Sequence, residues 1–525
     1  MPETVKLTID GREITAPRGA MVIEAARRAG IAVPHYCYHP YLSVAGNCRM
    51  CLVEIEKMPK LQIACSIQVA EGMVVRTGTP QVTEARAGVM EFLLINHPLD
   101  CPICDQAGEC RLQEYSVAHG RPYSRFEHDK ELGRKNVDLG PHVVFDEERC
   151  IKCTRCVRFC EEVTKTGELA LFNRGDKAII GTFPGRPLDN PYSGNTVDIC
   201  PVGALTLKEF RFQARVWFLQ QQPSICTGCA RGCNVTLWSK DERIFRLTPR
   251  ENPEVNKTWI CDEGRLSYQP LYTRERLLEP QRERRGVSWE EALKEAARLL
   301  SPKDSHRPFV GVLASPRASL EELALLRRMC EKTQAKAALP VLEAGKDDAL
   351  LIRKDKTSNR AGALLLGFER PAAEILREAA EGRLDVLYVM DEEIFGPLAA
   401  EKDAELLRKA MSKLQALIVH ASFRDRVPPA ARLALPLAAY GEVEGTHVNF
   451  EGRVQRARAA VQRPGRSRTH LAILSGLARA AGWGEWPAEP ADAWAEVQAM
   501  AAPLRAIRYQ DVALAGLMPG GMENR

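Results

Sequence analysis

The period of apolar and polar positions changes several times along the chain, and each change predicts an element. VKLTIDG and REITAP flank Asp10-Gly11, a pair that favours a tight hairpin turn. MVIEAARRAG follows with apolar residues at helical spacing, and Gly30 suits a helix C-terminus. The opening is therefore a small sheet with a helix across it. VTEARAGVMEFLLINHP places Val82, Ala85, Val89 and Phe92 on one helical face, leading into HPLDCPICDQAGECRLQ. Residues 121–149 are polar and charged and read as a connector over the surface. WFLQQQPS and VTLWSKDERIFRLTP suggest short strands.

Beyond residue 290 strands and helices alternate. Phe309–Ala314, Val386–Met390 and Ala416–Val419 are compact apolar runs. Ser319 with Glu322 forms a capping box for LEELALLRRMCEK. This order predicts a parallel, doubly wound sheet. The stretch from about 464 is Ala-rich and reads as helical. A length of 525 residues exceeds what one core organises, so several domains are expected.

Charge narrows the function classes. The 73 basic and 68 acidic residues leave only +5, without the dense basic face of a nucleic-acid binder. No apolar run approaches the eighteen or so residues of a membrane helix. The start, MPETVKLTIDGREI, lacks a secretory pattern. A soluble cytoplasmic protein, able to dock on a membrane assembly, is expected.

The cysteines change the picture most. Of 17, sixteen lie between Cys37 and Cys261, and Cys330 stands apart. Clustered thiols in a long cytosolic chain point to metal or redox chemistry. Four groups emerge: Cys37-x10-Cys48-x2-Cys51-x13-Cys65; His97-x3-Cys101-x2-Cys104-x5-Cys110; Cys150-x2-Cys153-x2-Cys156-x43-Cys200; and Cys226-x2-Cys229-x3-Cys233-x27-Cys261. Iron–sulfur clusters need thiolates aimed inward from a loop whose amides face the sulfides, which C-x2-C spacing supplies. The run from Cys150, with Pro201 after Cys200, is the bacterial ferredoxin arrangement with its fourth ligand moved downstream. Zinc is the alternative for any C-x2-C pair, but a zinc ribbon needs two pairs, and three cysteines in register rarely serve it. His97 is read as a ligand because the three cysteines after it lack a fourth. Imidazole in place of thiolate favours the reduced cluster, as in Rieske centres. Cys160 and Cys330 are expected to be buried small residues, and His35 and His39 to lie around the first site or on the surface.

These four groups in order resemble the large iron–sulfur subunit of the peripheral arm of respiratory complex I (NADH:quinone oxidoreductase), over essentially the whole chain. The resemblance implies a β-grasp 2Fe–2S ferredoxin domain (1–80) with Cys37, Cys48, Cys51 and Cys65 on iron. It implies a 4Fe–4S domain (81–120) held by His97, Cys101, Cys104 and Cys110, and a 4Fe–4S ferredoxin-like domain (140–215) held by Cys150, Cys153, Cys156 and Cys200. A further 4Fe–4S cluster, off the main electron route, is implied in a molybdopterin-oxidoreductase-type domain (219–275), on Cys226, Cys229, Cys233 and Cys261.

The remainder, 285–525, resembles a shortened molybdopterin oxidoreductase of α/β type. KTWICDEGRLSYQPLYTRERLLEP looks like the segment after the cluster in such enzymes. LPLAAYGEVEGTHVNFEGRVQ carries a similar motif through Glu444, Gly445, Thr446, Asn449, Glu451, Gly452 and Arg453. No Cys or Ser is placed to bind molybdenum, so a scaffold without molybdopterin is expected. No G-x-G-x-x-G follows a strand and no flavin motif occurs, so neither NAD nor FMN is expected here. The resemblance implies an electron relay with no catalytic acid, base or nucleophile of its own, an enzyme only as a subunit of the translocase. Its expected partners are the flavin- and NADH-binding subunit and other peripheral-arm subunits. Its expected place is the cytoplasmic side of the inner (plasma) membrane, reached only through the complex. The rivals are a subunit of an NAD-linked formate dehydrogenase or a hydrogenase, and a zinc-stapled scaffold.

Overall fold

The structure is a computed structural model describing residues 3–301, 307–398, 404–520 and 522. The outer ends of the first and last expected domains, and 302–306 and 399–403 within the last, lie outside the described residues. Two compact units divide the chain between Leu219 and Gln220.

The first unit opens with β1 (Thr4–Ile9) and β2 (Arg12–Pro17), paired antiparallel. Asp10 and Gly11 turn between them with φ of 48° and 77°, left-handed values that Asp and Gly tolerate. Helix Val22–Arg28 buries Val22, Ile23, Ala25 and Ala26 against Val5, Leu7 and Ile9, the inward set of an alternating strand. Gly30, at φ 73°, follows the helix. With β3 (Leu52–Ile55), β4 (Gln62–Ile63) and β5 (Met73–Arg76), the sheet order is β2-β1-β5-β3-β4, β5 running parallel to β1. That is a β-grasp topology.

Helix Pro80–Leu94 forms where periodicity places it, capped by Thr79 with Pro80 in its first turn. Its inward face differs from the expected one. Val82, Arg86, Ala87 and Met90 are buried, while Phe92 is 79% exposed. Arg86 takes the inner position because its guanidinium donates to the Leu52 carbonyl of β3 at 2.8 Å. The connector expected over 121–149 is also shorter than read. β6 (Val137–Asp138) and β7 (Val143–Phe145) already belong to a three-stranded sheet, order β10-β7-β6, after β8 (Leu169–Phe172) and β9 (Ile179–Thr182) are counted and β10 is Leu205–Leu207. Leu139, Val143, Val144 and Phe145 are buried there. Their apolar run is brief enough to be masked by the charged residues on either side.

The second unit starts with an antiparallel meander of β11 (Gln220–Ile225), β12 (Asn234–Lys240) and β13 (Arg243–Pro249). Its main sheet comprises β14 (Gln281–Arg282), β15 (Arg285–Gly286), β16 (Val310–Leu313), β17 (Lys336–Ala338), β18 (Val386–Val389), β19 (Ala416–Ala421) and β20 (Leu433–Pro436), in the order β15-β14-β20-β19-β18-β16-β17. The five strands from β20 to β17 are mutually parallel, and β14 joins antiparallel at one edge. Side-chain alternation explains why β18 reads as continuously apolar. Val386 and Tyr388 enter one core, with helices Trp289–Leu300, Leu320–Thr333 and His470–Ala480, while Leu387 and Val389 enter another with helix Ala372–Ala380. A hairpin of β21 (Gly445–Val448) and β22 (Val454–Ala457) follows, then helix Pro490–Met500. Among the described residues no helix is long and apolar enough to cross a membrane.

The capping box of helix Leu320–Thr333 is realised by Ser319 and Glu322 in both directions. Beside it Glu321 is fully buried and accepts from the Thr446 amide at 3.0 Å and hydroxyl at 2.9 Å. Burial lifts its carboxyl from 4.5 to about 7, only partly opposed by those bonds. A raised carboxyl is protonated on folding, so its contribution is fully present below 4.5 and is lost as pH rises through about 7. We expect hydrogen-exchange protection of this helix, corrected for intrinsic rates, to fall over that window. Glu321→Gln should give a shallower fall, Glu322 still contributing; identical slopes would refute the assignment.

Candidate metal centres

The first thiol group sits beside the β-grasp sheet. Cys37 lies on the loop after helix Val22–Arg28, Cys51 just ahead of β3 and Cys65 just beyond β4, all three buried. The four sulfurs fall into two pairs. Cys37 and Cys48 are hydrogen bonded through their side chains, and so are Cys51 and Cys65. Within each pair one thiol is driven down and the other up, because two touching sulfurs share one proton. Cys37 falls, chiefly through Cys48, and Cys48 rises; Cys51 falls through Cys65, and Cys65 rises. The Cys37 amide also donates to Cys48 Sγ at 3.4 Å.

The second group lies between helices Pro80–Leu94 and Arg111–His119. Cys104 and Cys110 are buried, Cys101 is exposed, and the three thiols act on one another electrostatically. Burial raises Cys104 and Cys110, against amide hydrogen bonds from Gln106 to Cys104 and from Gln113 and Leu112 to Cys110. His97 ends the first helix's exit turn, with its amide on the Leu94 carbonyl at 3.3 Å. Its imidazole is held neutral, at about 4, by burial and then by Lys130 and Arg149; Arg149 also acts on Cys104.

The third group lines one cavity. Cys150, Cys153, Cys156 and Cys200 face it, with Phe145, Ile180 and Leu205 among its apolar walls. Lys152 and Thr154 flank Cys153 at φ of 54° and 61°, winding the loop so that successive amides turn inward. The Lys152 amide reaches Cys150 Sγ at 3.4 Å, and Cys200 accepts from the amides of Val202, Leu205 and Ala204. The fourth group has the same character. Cys226, Cys229, Cys233 and Cys261 line a cavity with Ile260, Leu351, Ile352 and Lys356. Gly228 donates to Cys226 Sγ at 3.4 Å and Gly264 to Cys261 Sγ at 3.3 Å. Among the described residues no three His, Cys, Asp or Glu side chains close on one point as ligands of a single ion do. The thiols of the third and fourth groups enclose a space instead.

The first three groups are adjacent in an order the sequence does not suggest. The loop closing the third site, Cys200 to Gly203, also packs on the second. A side chain at Gly203 would put its Cβ 2.2 Å from Cys104 Sγ, and Arg111 donates to the Pro201 carbonyl at 3.2 Å. On the other side, the third site's Arg155 and Arg158 donate to carbonyls of the first site's loop, at Tyr38 and Cys37. The third site therefore packs against both the first and the second.

Residues of the molybdopterin-like motif are occupied structurally. Asn449 donates to the Arg231 carbonyl at 3.3 Å and accepts the amides of Glu451 and Arg453. The Phe450 amide bonds the Ala230 carbonyl at 2.9 Å, and Gln455 the Gly232 carbonyl at 3.0 Å. These three residues brace the loop between Cys229 and Cys233. Glu444 pairs with Arg456, Thr446 bonds Glu321, and Arg453 pairs with Glu254. Gly445 and Gly452 approach Ser319 and the Met522 carbonyl too closely for a side chain. Cys160 and Cys330 are buried, as their surroundings predict, and burial raises each to about 12. His35 and His39 flank Cys37, both held neutral chiefly by burial, and His35 lies 3.2 Å from an Arg111 nitrogen.

Sequence reading missed Arg155, Arg158, Gly203 and the bracing by Gln455. Two arginines inside CIKCTRCVRFC were a signal for the first pair, since charge within a ligand run needs a reason. Nothing local marked the others.

Comparison with known families defines the class. Family models match for a 2Fe-2S iron-sulfur cluster binding domain (2–80), the NADH-ubiquinone oxidoreductase-G iron-sulfur binding region (86–125) and the ferredoxin-like domain of NADH-quinone oxidoreductase subunit 3 (140–206). A molybdopterin oxidoreductase Fe4S4 domain (219–273) and molybdopterin oxidoreductase (353–480) follow. The chain is thus an iron–sulfur protein with 2Fe–2S and 4Fe–4S binding domains joined to a molybdopterin-oxidoreductase region. The mitochondrial NADH-ubiquinone oxidoreductase 78 kDa subunit of Neurospora crassa is 32% identical over 90% of this chain and 80% of its own length. The G subunit of NADH-quinone oxidoreductase from Rickettsia bellii is 43% identical over 62% of this chain. The chain belongs to this family of complex I iron–sulfur subunits. Its match spans about half, 48%, of the Rickettsia bellii protein. A chain of an NAD+-reducing NiFe-hydrogenase structure is 31% identical over 40% of this chain and 91% of its own, with a TM-score of 0.37, too low to carry an argument.

Gly203→Ala tests the junction of the second and third sites. The added methyl should displace Cys104, so alkylation of Cys104 should rise and bound iron should fall relative to the unsubstituted chain. Unchanged values of both would show that the loop yields freely.

Proposed function

We propose that this chain is the iron–sulfur relay of an NADH:quinone oxidoreductase, passing electrons from a flavin-bearing partner toward quinone. One 2Fe–2S cluster is assigned to Cys37, Cys48, Cys51 and Cys65, where two touching pairs suit two irons with two thiolates each. Three 4Fe–4S clusters are assigned to His97 with Cys101, Cys104 and Cys110; to Cys150, Cys153, Cys156 and Cys200; and to Cys226, Cys229, Cys233 and Cys261. These clusters supply one-electron chemistry when bound. The observation that carries the reading is the pair of thiol-lined cavities with backbone amides aimed at sulfur, a setting for a cluster rather than for one zinc ion.

The chain's own residues hold the thiols, exclude water and set local charge. Apolar walls dry the third site, inward amides stabilise thiolate, and neutral His97 lowers the negative charge of the second. The contacts among the three sites support a route across them toward the next carrier, with Cys101 exposed at the surface. The domains proposed are 1–80, 81–120, 140–215, 219–275 and a shortened 285–525 without molybdopterin. In the last, motif residues serve structure. NAD and FMN are assigned to a partner subunit, and the chain to the cytoplasmic face of the membrane as a peripheral subunit.

Iron and acid-labile sulfide analysis of anaerobically prepared protein, with paramagnetic resonance after dithionite, tests this. Signals of both cluster types are expected; protein holding zinc and no iron would end the reading. His97→Cys should still assemble its cluster, at a lower midpoint potential because thiolate adds negative charge. An unchanged potential would take His97 off the iron.

A further inference from the structure

Arg155 and Arg158 occupy the seam between the first and third thiol groups, and they are 4% and 7% exposed. Arg155 donates to the Ile199 carbonyl, beside Cys200, at 3.0 Å and to the Tyr38 carbonyl, beside Cys37. Arg158 donates to the Cys37 carbonyl at 2.6 Å, to the Cys153 carbonyl at 3.2 Å and to the Ser43 carbonyl. Its Nε reaches the Thr154 hydroxyl at 3.3 Å. Each guanidinium thus grips both loops, and neither makes an ion pair with a described carboxylate. Glu162, on the same seam, is exposed and spends its oxygens on the Ser43 amide and hydroxyl. Arg111 adds a further positive charge near Arg155.

A buried cation without a counter-ion is costly, and carbonyl dipoles compensate only in part. The acidic groups acting on Arg155 are thiols, those of Cys153 and Cys200 in the third site and Cys37 in the first, which carry charge only when ionised. The missing counter-charge is therefore what each thiol group carries once it holds a cluster.

We propose that Arg155 and Arg158 are potential-setting residues shared by the first and third sites, their charges favouring the reduced, more negative form of both clusters. The proposal rests on reading those sites as cluster centres. If that reading fails, the unsubstituted protein shows no iron signal. If only this proposal fails, the signals are present and unmoved.

The test is a resonance-monitored redox titration of the full chain with Arg155→Gln, Arg158→Gln and the matching Lys variants. Gln keeps a donor for a carbonyl and removes the charge; Lys keeps the charge and loses the fork. In each Gln variant both the 2Fe–2S and the third-site 4Fe–4S signals should move to lower potential. The expected size is roughly a tenfold loss in the one-electron reduction equilibrium, about 59 mV, and Lys should restore most of it. A Gln variant that loses its clusters while its Lys counterpart keeps them at the original potential also supports the role of charge. Unmoved potentials in fully loaded Gln variants would overturn the proposal. So would movement of one signal alone, equal shifts in Lys and Gln, or equal loss of clusters in both, which would make the arginines struts.

Discussion

Thiols gathered in a dry cavity resist becoming thiolates, and the local structure of this protein answers to that constraint. Burial moves Cys153 and Cys261 from 9.0 to about 11. That is roughly 3 kcal/mol against each thiolate, and it remains after the opposing amide hydrogen bonds of Arg155 on Cys153 and Gly264 on Cys261. Amides alone therefore cannot keep the sulfurs ionised; a metal displacing the proton supplies the difference. The left-handed residues at Lys152 and Thr154, the glycines at 228 and 264 and the inward amides reduce the remaining cost. They also fix the positions of the sulfurs.

The same constraint explains why the first unit is knit through its ligand loops. Each loop must be pinned, and the cheapest pins are neighbouring loops with the same need. The stretch from Cys200 to Gly203 closes one site and packs on another. Two guanidinium groups join the third site to the first. The proximity of thiol groups that the proposed relay requires and the rigidity within each then come from one set of contacts.

Much of this is legible in the chain itself. The four groups, the capped helix from Leu320, the hairpin at Asp10-Gly11 and the strands at Val386 and Ala416 follow from spacing and periodicity, which are local. What is not legible depends on partners far along the chain. Phe92 faces outward because Arg86 found a carbonyl on β3. β7 is hidden because three apolar residues among charged neighbours carry almost no period. Gly203 matters only because Cys104 lies against it, and Asn449 only because Arg231 does. The membership of each thiol group is written in spacing; the arrangement of the groups is not.

The bracing of the Cys229–Cys233 loop by Asn449, Phe450 and Gln455 has a consequence for biogenesis. A ribosome making this protein emits the four cysteines of that site by residue 261, about two hundred residues before the side chains that hold their loop in shape. The pocket is complete only late in translation, so a cluster-delivery machine working on the nascent chain would meet an unshaped loop. On the proposed reading, shaping of that centre waits until residues 449–455 have emerged, whereas the thiol loops of the first unit are pinned by residues that all precede Gln220.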